Sequence, residues 1–210
     1  GDTNQLLKEN RGISDWKQVR QLFKSSSMHE LNENYRNTNQ ITQYCNDTFG
    51  MNVVLTGVDG KEVKQIDRIR MEEELSDIKP DISRYAVILP RSVKKDEYIH
   101  LSQLPEHIRN AIGYKIEKGK IAVVYVDEVK GIEFDVVYAV QNGMTKNEKY
   151  IAFTRALSEL IIVTDNSISP ASIDTALSEI GNSQTDDGST LPEYEGIVIG
   201  KVLKKNNKTI

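Results

Sequence analysis

IAVVYVDEVKGIEFDVVYAV, residues 121–140, decides the fold. Ile121 to Val126 and Val136 to Val140 are apolar runs with no polar residue on alternate positions. Each reads as a strand buried on both faces, the situation of a parallel sheet covered by helices. The charged, glycine-containing connection Asp127 to Asp135 lies between them. Outward from this core, Tyr85 to Leu89, stopped by Pro90, and Leu160 to Thr164 are runs of the same kind. Met51 to Leu55 is a shorter one, ended by the turn residues Thr56 to Gly60.

Helical spacing fills the intervals. Residues 15–30 predict a helix capped by Ser14, with Trp16, Val19, Leu22 and Phe23 inward. Residues 34–49 place Ile41, Cys45 and Phe49 on one stripe. Residues 61–82 are highly charged and predict an exposed helix ended by Pro80, with Glu72-Glu73-Glu74 as a solvated face. Leu101, Leu104, Ile108 and Ile112 follow helical spacing, with Gly113 placed to end the helix. Residues 147–159 predict a helix capped by Asn147, with Ile151, Ala152, Ala156 and Leu157 inward. Ser169-Pro170 opens a short helix that Gly181 closes. Strands alternating with helices imply an α/β fold, a parallel sheet flanked by helices. The expected organisation is a helical lead-in over 1–30, the sheet domain over 31–181, and a linker and tail over 182–210 with one further strand at 196–202. Ligands of such sheets bind outside the carboxyl ends of the strands, so functional residues are expected to follow strands.

With 210 residues, 38% of them hydrophobic and 28% charged, the chain has the bulk of one globular domain that needs no disulfides. No apolar run is long enough to span a bilayer, and no signal peptide opens the chain. The single cysteine, Cys45, suits a reducing compartment, so cytoplasm is the expectation. The opening Gly1-Asp2 reads as a cleavage scar and suggests an excised fragment. A net charge of −4 argues against nucleic acid as a partner over most of the surface, but is compatible with a local basic groove. His100 and His107 read as surface histidines, and Lys201 to Lys208 as a solvated basic end.

Three segments carry chemistry. Asn34-Tyr35-Arg36-Asn37-Thr38 precedes a helical pattern, where Tyr35 offers a flat face and Arg36 a planar fork of donors. Together they suit a base and a phosphate; read alone, a surface pair at a helix start is the plainer reading. Lys130-Gly131-Ile132-Glu133-Phe134 joins two buried strands. Gly131 permits a tight turn or a close backbone approach, Lys130 supplies a point charge, and Glu133 is an acceptor suited to a sugar hydroxyl. A solvated polar loop is the plainer reading. Thr154-Arg155-Ala156 puts an arginine beside small residues near the packed face, where it needs either an external anion or an internal partner such as Glu148 or Glu159.

In this order the three segments resemble motifs IV, V and VI of UvrD-like superfamily-one DNA helicases, over roughly residues 30–165. The resemblance implies the C-terminal, RecA-like motor domain of a compact member. Only 94 positions separate Arg36 from Lys130, which leaves no room for the large accessory insertion. It also implies roles. Tyr35 stacks on the adenine of ATP, with Gly131 beside the nucleotide. Glu133 binds the ribose, and Arg36 and Arg155 reach the γ-phosphate of ATP–Mg²⁺ held by a separate N-terminal P-loop domain. Lys130 and Thr154 meet single-stranded DNA or a duplex junction. No Gly-x-x-x-x-Gly-Lys-Ser/Thr occurs in these 210 residues, so this is a P-loop NTPase-type domain without its own P-loop, expected to be inactive alone. Where relatives carry DNA-contacting threonine and histidine, this chain has Tyr125 and Asp127. That departure favours an alternative, a non-catalytic helicase-like scaffold.

Overall fold

A computed structural model describes residues 15–23, 32–80 and 84–164, together with Gln5, Leu7, Ser25, Ser27 and His29. Strands β1 (Glu33–Asn34) and β2 (Val54–Leu55) pair with each other in a small parallel ladder. The main sheet contains β3 (Lys64–Ile66), β4 (Tyr85–Leu89), β5 (Ile112–Gly113), β6 (Ile121–Tyr125), β7 (Phe134–Val140) and β8 (Ala156–Val163). Its order is β3-β8-β7-β4-β6-β5, and every pairing is parallel.

The continuous apolar runs follow from burial on both faces. Ala86, Ile88, Ala122, Val124, Val137, Ala139, Leu160 and Ile162 join one core. Their alternates Val87, Leu89, Ile121, Val123, Tyr138, Val140, Ile161 and Val163 join the other. Helices α2 (Asn39–Phe49) and α6 (Lys146–Phe153) cover the first face through Ile41, Cys45, Phe49, Ile151 and Phe153. Helices α3 (Arg68–Ser76), α4 (Lys95–Tyr98) and α5 (Glu106–Ala111) cover the second through Met71, Leu75, Tyr98 and Ile108. This is the expected α/β architecture. Among the described residues, no helix is long and apolar enough to cross a membrane.

Several local expectations change. Helix α1 (Trp16–Leu22) is short and capped by Asp15, not Ser14, and Leu22 and Phe23 are exposed rather than inward. Helix α2 begins at Asn39, so Tyr35 and Arg36 lie in the turn before it. The charged stretch 61–82 holds β3 as well as α3; an edge strand of three residues, Lys-Gln-Ile, pairs on one side only and leaves no apolar run to read. Glu72 is not solvated. Its buried carboxylate accepts from the His100 backbone N–H at 2.9 Å and pairs with the His100 ring at 3.1 Å. Pro105 lacks an N–H and sits at the cap of α5, so it breaks the predicted 101–112 helix into a 3₁₀ turn (Leu101–Gln103) and α5, while Gly113 enters β5. Thr145, two residues before the expected Asn147, caps α6 in a reciprocal box with Glu148, and α6 stops at Phe153. Arg155 is thus outside the helix, and Ala156 and Leu157 belong to β8. The expected helix at 169–181, the linker, the strand at 196–202 and the basic end lie outside the described residues.

Candidate nucleotide-facing site

The Tyr35–Arg36 turn is built by two asparagines. Asn34 Oδ1 accepts from the backbone N–H groups of Arg36 and Asn37, at 2.9 and 3.3 Å, closing a side-chain turn. Asn34 Nδ2 donates to Asn37 Oδ1 and to Thr42 Oγ1. Asn37 is buried, and its Nδ2 donates across 117 sequence positions to Thr154 O and also to Ala156 O. The Thr38 N–H adds a bond to Leu157 O. The turn 56–60 backs this arrangement: Thr56 Oγ1 donates to Asn34 O, and the Asn39 N–H donates to Val58 O. A Cβ at Gly57 would stand 2.3 Å from Asn37 O, so only glycine permits this approach. The Tyr35–Arg36 turn is therefore pinned to the end of α6 and the start of β8.

The connection that carries Lys130 and Glu133 runs from β6 to β7. After β6 the chain makes a 3₁₀ turn (Val126–Glu128) and buries Val126 and Val129. Gly131 reverses it at φ +84°, in left-handed backbone that glycine adopts without strain, and Glu133 arrives just before β7. There Glu133 Oε1 meets Arg36 Nε at 2.7 Å, with both side chains partly exposed.

Arg155 sits behind this pair. Its carbonyl accepts from the Phe134 N–H at 2.9 Å. The side chain is 2% exposed; its guanidinium donates to Ile151 O, Ile132 O and Thr154 Oγ1. Glu148 and Glu159, the acids expected as partners, are engaged elsewhere: Glu148 in the α6 cap, Glu159 with Lys61 and Lys64. Arg155 thus ties the residue before Glu133 to the end of α6.

Arg36 meets Glu133, Arg155 binds the carbonyl of the residue before Glu133, and Tyr35 adjoins Arg36 in the chain, but these contacts form on the unexpected edge. Glu133 precedes β7 and Arg155 precedes β8, so the site lies at the strand starts, opposite the carboxyl ends named by the general rule. Tyr35 projects its ring into solvent at 72% exposure, and its hydroxyl donates to Glu33, whose carboxylate pushes the phenol above its ordinary value. Lys130 is exposed and donates to Gln5 O. Thr154 is buried, and its hydroxyl donates to Tyr150 O, so it supports Arg155 and is not presented to a strand of nucleic acid. Asn34, Asn37 and Gly57 were not singled out as site-builders by sequence alone; their role appears only once α6, β8 and the 56–60 turn are in place.

The carboxyl edge carries a second charged group. Arg91 stacks over Tyr125 at 4.1 Å and binds Asp127 through two nitrogens, at 3.0 and 2.8 Å. Lys95 lies 4.5 Å from the same ring and 2.6 Å from Glu128. The Arg91 hydrogen bond holds the Asp127 carboxyl below its usual range. Burial pushes Glu128 the other way, but Lys95 and the Tyr125 N–H outweigh it and leave that carboxyl lowered too.

No protein-family model matches the chain, and no curated protein does. Among solved structures it is similar to the C-terminal domain of a possible DNA helicase from Lactobacillus plantarum WCFS1, at 20% identity over 65% of this chain and 90% of that one, with a TM-score of 0.45. It is also similar to the PRRSV helicase, at 13% identity over 81% of this chain and 30% of that one, with a TM-score of 0.43. Both TM-scores lie below 0.5.

Proposed function

We propose that this chain is the second, RecA-like motor domain of a UvrD-like superfamily-one DNA helicase, completing an ATP site whose P-loop belongs to a separate domain. The observation that supports this reading most directly is the 2.7 Å contact between Arg36 and Glu133, which brings motifs IV and V together beside the exposed ring of Tyr35. These groups fit a nucleotide: an open aromatic face for a base, a carboxylate for ribose hydroxyls, and a guanidinium for phosphate. Bound ATP–Mg²⁺ would supply the phosphoryl chemistry. Arg36 would leave Glu133 for phosphate oxygens, offering positive charge where negative charge shifts during transfer. Such an exchange of partners couples occupancy of the cleft to domain closure. Arg155 takes a positioning role in this arrangement, holding the Ile132 carbonyl next to Glu133; it reaches phosphate only if its turn opens. Lys130 remains an exposed cation for a nucleic-acid strand.

The test is DNA-stimulated ATP hydrolysis by the protein expressed with its P-loop domain. Arg36→Ala should lower turnover by two orders of magnitude or more, as loss of an arginine finger does. Glu133→Gln should mainly raise KM. Unchanged turnover in Arg36→Ala sinks the assignment. A second reading, a non-catalytic scaffold, draws on Asp127 already neutralising Arg91 and on the burial of Arg155 and Thr154. It predicts no ATP hydrolysis in the expressed protein and an unaltered partner interaction in Arg36→Ala.

A further inference from the structure

A cavity of about 240 Å³ opens across the starts of β7, β4 and β6, and neither Tyr35 nor Arg36 lines it. It is smaller than the roughly 300–1,000 Å³ of sites for drug-sized ligands, so it suits a compact one. Arg84, Lys118 and Lys120 line it, together with Glu117 and Glu133. Among the described lining residues three are cationic and two acidic, a positive balance that does not depend on Arg36. The cations are incompletely satisfied. Arg84 reaches Asp135 only at 3.7 Å and is 61% exposed, and among the described residues no carboxylate pairs with Lys118. Lys120 donates to Asn110 O at 2.5 Å. Ile132 gives the cavity an apolar side.

We propose that this cavity is an anion subsite for a small sugar phosphate, with the phosphate between Arg84 and Lys118 and a hydroxyl on Glu133. A guanidinium fork and an ammonium together are the pairing that phosphate oxygens favour. An acceptor-only carboxylate on the same wall selects a ligand that brings hydroxyl donors. The subsite shares Glu133 with the proposed nucleotide site but does not need Tyr35, Arg36 or a P-loop domain, so it stands or falls separately.

Calorimetric titration of the 210-residue chain with ribose 5-phosphate, inorganic phosphate, sulfate and ribose tests it. Ribose 5-phosphate should bind at least tenfold tighter than phosphate or ribose. Arg84→Ala and Lys118→Ala, both at exposed side chains, should each weaken it about tenfold with unchanged thermal unfolding. Glu133→Gln should remove the preference for ribose 5-phosphate over phosphate, while phosphate itself binds no more weakly. Arg36→Ala, which only unpairs Glu133, should weaken ribose 5-phosphate far less than Arg84→Ala does. Equal binding of phosphate and sulfate that ignores Arg84→Ala and Lys118→Ala overturns the proposal. So does a loss in Arg36→Ala as large as in Arg84→Ala, which places the ligand on the tyrosine side.

Discussion

Replacing Asn37 by alanine should destabilise the protein far more than replacing its neighbour Arg36. Asn37 is 3% exposed, and its carboxamide makes three hydrogen bonds, to Thr154 O, Ala156 O and Asn34 Nδ2. A buried hydrogen bond contributes about 1 kcal/mol net, and a partner left unsatisfied costs more. Asn37→Ala should therefore cost about 2–4 kcal/mol, a large part of the ~5–15 kcal/mol that holds a domain of this kind folded. Arg36 is held at the surface by an ion pair whose two side chains are 47% and 36% exposed. Such pairs contribute about 0–1 kcal/mol. Urea unfolding followed by circular dichroism gives both numbers. The midpoint should fall clearly for Asn37→Ala and hardly at all for Arg36→Ala. Asn37→Asp sharpens the comparison, since a carboxylate would face two carbonyl oxygens with no proton to donate; it should be at least as damaging as alanine. Equal, small losses in Asn37→Ala and Arg36→Ala would refute the claim that the Tyr35–Arg36 turn is hung on the α6–β8 junction.

Three further outcomes follow from individual residues. Gly131→Ala should cost about 1–3 kcal/mol through its φ of +84° alone, because nothing lies within 4 Å of the added Cβ; a neutral effect in urea unfolding would mean the turn relaxes freely. Burial pushes the Cys45 thiol up to about 12, so only about one molecule in 10⁴ carries the thiolate at pH 8, and thiol reagents should label Cys45 at the rate of unfolding. Fast labelling of the folded protein would contradict this packing. Asp127 has a lowered folded-state value, so its bond to Arg91 adds stability that is fully present above the unfolded carboxylate value of about 3.9 and is lost as pH falls through the folded one. The stability gap between the native protein and Asp127→Asn should be flat from pH 5 to 7 and shrink in more acid solution; a gap that widens on acidification has the wrong sign.

The strong strands and the core faces of α2 and α6 were legible because burial on both faces leaves an unbroken apolar record, as at Val137 to Val140. What could not be read had no such record. Strand β3 is Lys-Gln-Ile, with polar side chains set by a sheet edge. The helix ending before Arg155 shares its apolar pattern with the strand that follows, so Ala156 and Leu157 fit either. Glu72 looked like one of three solvated acids, and only the approach of His100, 28 positions away, makes it the buried one. For the site, residue types were legible and their edge was not. The rule that ligands gather where parallel strands end held no information about a glutamate and an arginine that stand where strands begin.

Their place before the strands also explains why these side chains are well oriented. The residue preceding each strand is already in the ladder: Phe134 N–H donates to Arg155 O, and Asp135 N–H donates to Arg84 O, each at 2.9 Å. Arg84 and Arg155 therefore project from backbone fixed by neighbouring strands, and Glu133 adjoins the fixed Phe134, which restricts the geometries they can adopt. The division of labour among them follows from depth. Arg84, Glu133 and Arg36 reach solvent and can exchange partners at little cost to folding. Arg155 cannot: its guanidinium is buried among the Ile151 and Ile132 carbonyls, and removing it strips donors from a packed junction. A turnover defect in Arg155→Ala would thus mix lost positioning with lost stability, and Arg155→Lys, which keeps a charge but forfeits the fork that spans both carbonyls, separates them. If Arg155→Lys keeps its unfolding midpoint within experimental error of the native protein, the fork is not what holds Glu133 in register.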